Sequence, residues 1–270
     1  MKNIKKIGFF TLLFVELLSI IGVYIVRGQI APYIWSTHVF LVGPIATVAF
    51  LIQLVILVVK ICKKKKVSWN VSYLILTVLM AYPVTVLFGM SVLTYPTSDK
   101  KADAIRVTNP VEGSVLLGGK EFKPHAAWPS ECYAYDILKE PYDIDSDNLS
   151  DYGIYLEDVY CPVDGTVIDC KDTEEDILPN TEEFKSSLGN YIFIEIKETG
   201  TYLILAHLEK DSVSVQVGDI VTKGLKIAKV GNSGTTSEPH LHMQHQRNNP
   251  MKMKFPVCAE GLPMNIEENY

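Results

Sequence analysis

The chain has 270 residues, is 48% hydrophobic and carries a net charge of −6. Nine of its 25 Lys and Arg residues but only Glu16 of its 31 Asp and Glu residues precede Asp99, which excludes a single soluble globule and requires the two parts to be read separately. The 16 basic residues left against 30 acidic ones in the second part argue against nucleic acid or anionic lipid as its partner.

Three apolar stretches, near 7–26, 34–59 and 72–95, reach the length of about 20 residues that a helix needs to cross a bilayer. Lys2, Lys5 and Lys6 before the first would fit a signal peptide, but no small-residue cleavage site precedes Arg27 and two more apolar stretches follow. The expectation is a multi-pass transmembrane region over 1–96. Lysines cluster before the first span and at Lys60 and Lys63 to Lys66 after the second, whereas the first connection offers only Arg27. The positive-inside rule then puts the N-terminus in the cytoplasm and everything after Tyr95 outside the cell membrane. Glu16 and His38 are polar exceptions within the spans, with Glu16 read as neutral or set at a helix interface. Gly43-Pro44 and Pro83 predict kinks that neighbouring helices can absorb. Cys62 is expected to be cytoplasmic and reduced, while Cys132, Cys161, Cys170 and Cys258 face outside, where disulfides are permitted in any of three pairings.

Polar residues with Pro96 make 97–108 a linker, and the folded extracytoplasmic domain is expected over 109–270. It reads as β. Gly165 to Cys170, Asn190 to Ile196 and Thr201 to His207 are β-branched and aromatic runs of strand length, bounded by Asp164-Gly165, Gly189-Asn190 and Thr199-Gly200. Gly218-Asp219 and Lys223-Gly224 punctuate 213–230 in the same way, so a mostly antiparallel β-sheet domain follows. Asp143 to Asp147 lacks the glycine and terminal glutamate of a calcium loop and is read as a solvated loop.

Five of the six histidines fall in this domain: His125, His207, His240, His242 and His245. In a strand His240 and His242 share a face, close enough for one to hold a metal and the other to face its water. His245 has the opposite parity and is read as an exposed or hydrogen-bonded surface residue.

Pro239-His240-Leu241-His242 follows Gly231-Asn232-Ser233-Gly234, and upstream stand Cys161-Pro162-Val163-Asp164-Gly165-Thr166-Val167, Gly189-Asn190-Tyr191-Ile192-Phe193-Ile194, Leu205-Ala206-His207-Leu208, Val217-Gly218-Asp219 and Lys223-Gly224. In this order the string resembles the lysostaphin-type zinc endopeptidases that cut peptidoglycan peptides, a family with the duplicated hybrid motif fold. The resemblance runs from about Asp136 to Gln246 and leaves the apolar part without a counterpart. It implies a bound Zn²⁺, with His242 and Asp136 of Tyr133-Ala134-Tyr135-Asp136 as ligands and His207 and His240 as the two histidines beside the water.

A catalytic zinc takes three protein ligands and keeps one position open. Four residues before the aspartate the family's usual histidine is replaced by Cys132. Either His125 supplies the third ligand from a longer lead-in, or Cys132 does so as thiolate, since 132, 134 and 136 would share a face in a strand, or the site binds no metal and Cys132 is buried or in a disulfide. There is no His-Glu-x-x-His helix to offer a glutamate base, so His207 and His240 are left to accept the water's proton and bind the oxyanion. The expected function is a membrane-anchored zinc metalloendopeptidase acting on cell-wall peptidoglycan. The alternative is a silent domain of the same fold that binds peptidoglycan or recruits an envelope partner. A phosphotransfer or lipoyl-type carrier, which Pro162 to Val167 also resembles, is disfavoured by the outside location.

Overall fold

The computed structural model describes residues 2–90, 94–96, 104–118 and 125–267, which form two compact units. The first comprises residues 1–96 together with 126–129. Here α1 (Lys2–Ile21) continues into a π turn at Gly22–Val26, and the chain breaks at Arg27, whose φ is 60° and ψ −152°. A short 3₁₀ turn leads to α2 (Ala31–Thr37), a second π turn at His38–Val42 and α3 (Gly43–Cys62). Then α4 (Ser68–Ala81) tightens into a 3₁₀ segment, Tyr82–Phe88.

Three segments, Asn3–Val26, Gly28–Cys62 and Ser68–Phe88, are long and apolar enough to cross a membrane. Large apolar side chains such as Ile4, Phe14, Ile45, Val55 and Ile75 lie exposed along them, as a lipid solvent would demand. The second segment starts earlier than the expected residue 34, because the 3₁₀ turn Gly28–Ile30 runs directly into α2. The third ends at Phe88 and not at 95. Pro83 enters the 3₁₀ segment at its start, and Gly89 closes it in the left-handed region at φ 63°. Residues 91–93 lie outside the described residues, as does 97–103 of the expected linker.

The second unit comprises 97–125 and 130–270. Its strands are β1 (Ile105–Thr108), β2 (Val115–Gly118), β3 (Tyr135–Leu138), β4 (Asp158–Tyr160), β5 (Gly165–Lys171), β6 (Asn190–Ile196), β7 (Thr201–Leu208), β8 (Ile220–Val221), β9 (Lys226–Lys229), β10 (Leu241–Gln246) and β11 (Met264–Glu267). A seven-stranded antiparallel sheet runs in the order β2-β3-β10-β7-β6-β5-β8. β4 pairs antiparallel with β9, and β1 pairs parallel with β11. β1 therefore stands inside the stretch read from sequence as a linker. Only its pairing with β11, more than 150 residues away in sequence, makes a strand of it, and that partner was not visible locally.

One face of the central sheet builds the core through Ile192, Ile194, Leu203, Leu205, Leu241 and Met243, packed with Val159, Ile227 and Ala228. His245 shares the parity of Leu241 and Met243 and is 1% exposed, so it is a core residue and not a surface one. Its Nδ1–H donates to the Pro263 carbonyl at 3.2 Å, and Nε2 lies 2.8 Å from the Thr201 hydroxyl. All five cysteines are free thiols, so none of the three pairings is present. Asp143 to Asp147 is a loop, steadied nearby by Ser146 and Asn148 hydrogen-bonding Asp151, and it contributes to no metal-holding group among the described residues.

Candidate metal centre

The sheet face opposite the core carries the site. Register sets Asp136 of β3 directly beside His242 of β10, and His242 in turn beside Ala206 of β7. His242 Nδ1 lies 3.0 Å from Asp136 Oδ1, and His125 Nε2 lies 3.1 Å from Asp136 Oδ2. His125 stands on a one-turn 3₁₀ helix, His125–Ala127, with Nδ1 facing the Ala134 carbonyl at 3.4 Å. One ligand atom from each of His125, Asp136 and His242 lies within 4.8 Å of the others. Among the described residues this is the group of His, Cys, Asp and Glu able to hold a metal ion.

Cys132 is outside that group. Residues 131–133 form a turn, with Ala134 N–H donating to Glu131 O at 2.8 Å, so the strand parity that would have aligned 132 with 136 does not exist. The thiol is 2% exposed, and burial raises its pKa far above the ordinary range. Maleimide is expected to label the exposed Cys62 of the native protein rapidly and Cys132 only on unfolding. Fast labelling of Cys132 followed by mass mapping would contradict this burial.

Burial works against the charge on Asp136, yet His240 and the hydrogen bonds from His125 and His242 outweigh it and hold the carboxyl far below the usual carboxylate range. Burial likewise opposes a proton on His242, but Asp136 raises its pKa overall. His240 completes the ring of neighbours with Nε2 3.6 Å from Asp136 Oδ1. Its ring centroid is 4.6 Å from that of His207, and His207 is 6.0 Å from His242.

His207 reaches this face through an irregularity. Simple alternation along β7 would put it on the core side with Leu203 and Leu205. Tyr191 pairs with Ala206 and Asn190 with Leu208, so His207 is the extra residue of a β-bulge, with φ at 63°. Bulges re-aim side chains in this way beside functional sites. The bulge is clamped on both sides: His207 N–H donates to Leu188 O, and Gly231 N–H donates to His207 O, each at 3.0 Å. His207 Nδ1–H donates to Ser233 O at 2.8 Å, and His240 Nδ1–H donates to Glu238 O at 2.8 Å. Both contacts fix the tautomer and leave the Nε2 lone pair available. Burial first, then the nearby His240 and His242, push the pKa of His207 well below its ordinary value, so it is a neutral imidazole.

Sequence reading missed the support behind His242. Its Nε2 lies 3.2 Å from Gln244 Oε1, Gln244 Nε2 donates to Gln246 Oε1 at 2.7 Å, and Gln246 Nε2 donates to Asn248 O at 2.6 Å. The signal was available, because 242, 244 and 246 alternate onto one face of β10. It also missed Ser233, whose hydroxyl donates to Leu208 O at 2.7 Å and accepts from Asn190 N–H at 2.9 Å.

Residues 153–253 match the model of peptidase family M23. The chain carries an M23 peptidase domain. The match takes in His207, His240 and His242 and begins after His125 and Asp136. No sequence among the curated proteins matches this chain. Among solved structures the M23 domain is similar to a putative peptidase M23 from Pseudomonas aeruginosa, 20% identical, covering 52% of this chain and 44% of that one with a TM-score of 0.33. It is also similar to lysostaphin (20% identical, 43% and 36% covered, TM-score 0.29). A zinc-containing peptidase from Vibrio cholerae is a third (21% identical, 52% and 33% covered, TM-score 0.29). The chain spans less than half the length of each of these three.

Proposed function

We propose that the protein is a membrane-anchored, zinc-dependent endopeptidase that hydrolyses peptide bonds of cell-wall peptidoglycan. The observation that carries this reading is the convergence of His125, Asp136 and His242 within 4.8 Å, with the two tautomer-fixed imidazoles of His207 and His240 beside them. The donor set fits zinc: two imidazole nitrogens and one carboxylate make the three-ligand arrangement of a catalytic site. His242 would ligate through Nδ1, because Nε2 faces the Gln244 carbonyl, the kind of outer contact that orients a metal-bound histidine.

When bound there, zinc would lower the pKa of a water towards neutrality and polarise the scissile carbonyl. The chain's own residues supply the rest. His207 is neutral, with its Nε2 free of the Ser233 contact, and can accept a proton from that water. His240 is held by Glu238 O, with support from the Thr236 hydroxyl 3.2 Å from Nδ1, and its Nε2 side can take up a proton and then donate to the developing oxyanion.

The test uses the purified full-length protein. Wild type is expected to carry zinc at near one equivalent and to cleave peptidoglycan crosslink peptides, read by mass spectrometry. His207→Ala and His240→Ala keep the metal and lose turnover by about 10²- to 10⁴-fold, the range of general acid–base catalysis. Wild type with zinc and no cleavage under any of these substrates would favour the silent, peptidoglycan-binding reading, and wild type without zinc would end the enzyme reading.

The basic clusters support a topology with the N-terminus in the cytoplasm and the M23 domain outside. In intact cells an impermeant maleimide is expected to label an exposed Glu198→Cys in the turn after β6 and to leave the exposed Cys62 unlabelled until permeabilisation. The reverse pattern would invert this topology.

A further inference from the structure

A cavity of about 300 Å³ lies among the apolar helices of the first unit, walled by Ile20, Val23, Trp35 and Leu79, with Glu16 and His38 facing it. The peptidase chemistry uses none of these residues. Glu16 is 3% exposed and sits near the middle of the segment Asn3–Val26. Its Oε2 lies 3.1 Å from His38 Nε2, while His38 Nδ1–H donates to Ile34 O at 2.9 Å. The carboxyl and the imidazole Nε2 are thus each other's hydrogen-bond partner inside the apolar segments.

That leaves Glu16 Oε1, on a buried residue that faces the cavity, without a hydrogen bond among the described residues. An ionisable group within an apolar span marks a functional site by default. The helices are also irregular at this point. Both π turns contribute to the wall, through Val23 of Gly22–Val26 and through His38 of His38–Val42, and such turns are frequent at functional sites.

These features define the occupant. Apolar walls favour an uncharged ligand, and an unmet acceptor calls for a hydrogen-bond donor. Apolar walls do not favour a chain of waters. The volume stands at the lower end of the roughly 300–1,000 Å³ of ligand pockets, which admits one hydrocarbon chain and not two. We propose that the cavity binds a single-chain, long-chain alcohol from the bilayer, its hydroxyl donating to Glu16 Oε1. The inference rests on the helices lying in a membrane and is independent of zinc or peptidase activity.

Trp35 reports on the cavity directly. The full-length protein with Trp69→Phe and Trp128→Phe, reconstituted in phosphatidylcholine vesicles, retains Trp35 as its tryptophan. A bromine-labelled long-chain alcohol should quench it saturably, whereas the matching brominated alkane should not saturate. Glu16→Leu should raise the half-saturating concentration about tenfold, the worth of one buried hydrogen bond. Ile20→Phe should abolish saturation by filling the space, and Glu16→Gln should retain it. Helix content by circular dichroism checks folding, and Ile20→Phe with Glu16→Gln carries the test if Glu16→Leu fails to fold. Linear quenching that is the same for alcohol and alkane, or that ignores Ile20→Phe, would mean adventitious contact with acyl chains and overturn the proposal. Saturable quenching suppressed by raising the protein-to-lipid ratio would assign the cavity to a second copy of the chain and overturn it as well. Zinc content measured in the same samples keeps a failure here distinct from a failure of the peptidase reading.

Discussion

Replacing Asp136 with alanine is expected to strip the domain of zinc and activity while leaving the fold in place. The carboxylate lies on the site face of β3, where it meets His125 at 3.1 Å, His242 at 3.0 Å and His240 at 3.6 Å, and it takes no part in the core cluster. Outer-shell partners of a metal ligand are worth about 10- to 100-fold in affinity, so loss of a ligand itself should exceed about 100-fold. A pH signature accompanies it. Asp136 raises the pKa of His242 against the opposing effect of burial, so in the metal-free protein a proton competes with the metal for Nδ1. Metal binding should therefore release protons and weaken as the pH falls, because imidazole ligands bind zinc only when neutral. Titration calorimetry in two buffers of different ionisation enthalpy measures both. Wild-type zinc affinity in Asp136→Ala would remove Asp136 from the ligand set.

How far this site was legible in the sequence depends on how local each cause is. His240 and His242 were read onto one face by strand parity alone; β10 begins at Leu241, so parity governs His242, whose cross-strand partner is Asp136, and does not reach His240. The three apolar segments followed from length and composition, although the third ends at Phe88, where a 3₁₀ turn around Pro83 and a left-handed Gly89 stop it. Parity failed where the backbone is not a strand. Cys132 lies in a turn, so its expected alignment with Asp136 was lost, and His125 meets the aspartate from a 3₁₀ turn that no periodicity announces. His245 was assigned to the correct face, but that face proved to be the core, because the rest of the domain covers it and Thr201 and Pro263 satisfy its ring. β1 depends on a parallel partner at the far end of the chain, a pairing that local sequence cannot show.

His207 is the instructive exception, since alternation along β7 points it the wrong way and only a bulge brings it to the site. That bulge depends on two glycines. Gly189 has a φ of 62°, and a Cβ there would fall 2.3 Å from the carbonyl carbon and oxygen of Ser233. Gly234 has a φ of 83°, and its Cβ would fall 2.3 Å from Gly189 N. The Gly189-Asn190 turn and the Gly231-Asn232-Ser233-Gly234 loop thus pack backbone against backbone, which places the Ser233 carbonyl where His207 Nδ1–H can donate to it. Gly189→Ala combines left-handed strain with a backbone clash and is expected to cost at least about 3 kcal/mol. Gly200→Ala is the control: its φ is 67° but nothing lies within 4 Å of the added Cβ. Strain alone should then cost about 1–2 kcal/mol. Thermal unfolding compares the two. Because His125, Asp136 and His242 do not depend on this contact, Gly189→Ala should retain zinc while losing turnover as His207 swings out of register. Equal destabilisation by the two substitutions, or full turnover in Gly189→Ala, would show that the close approach of the two loops does not position His207.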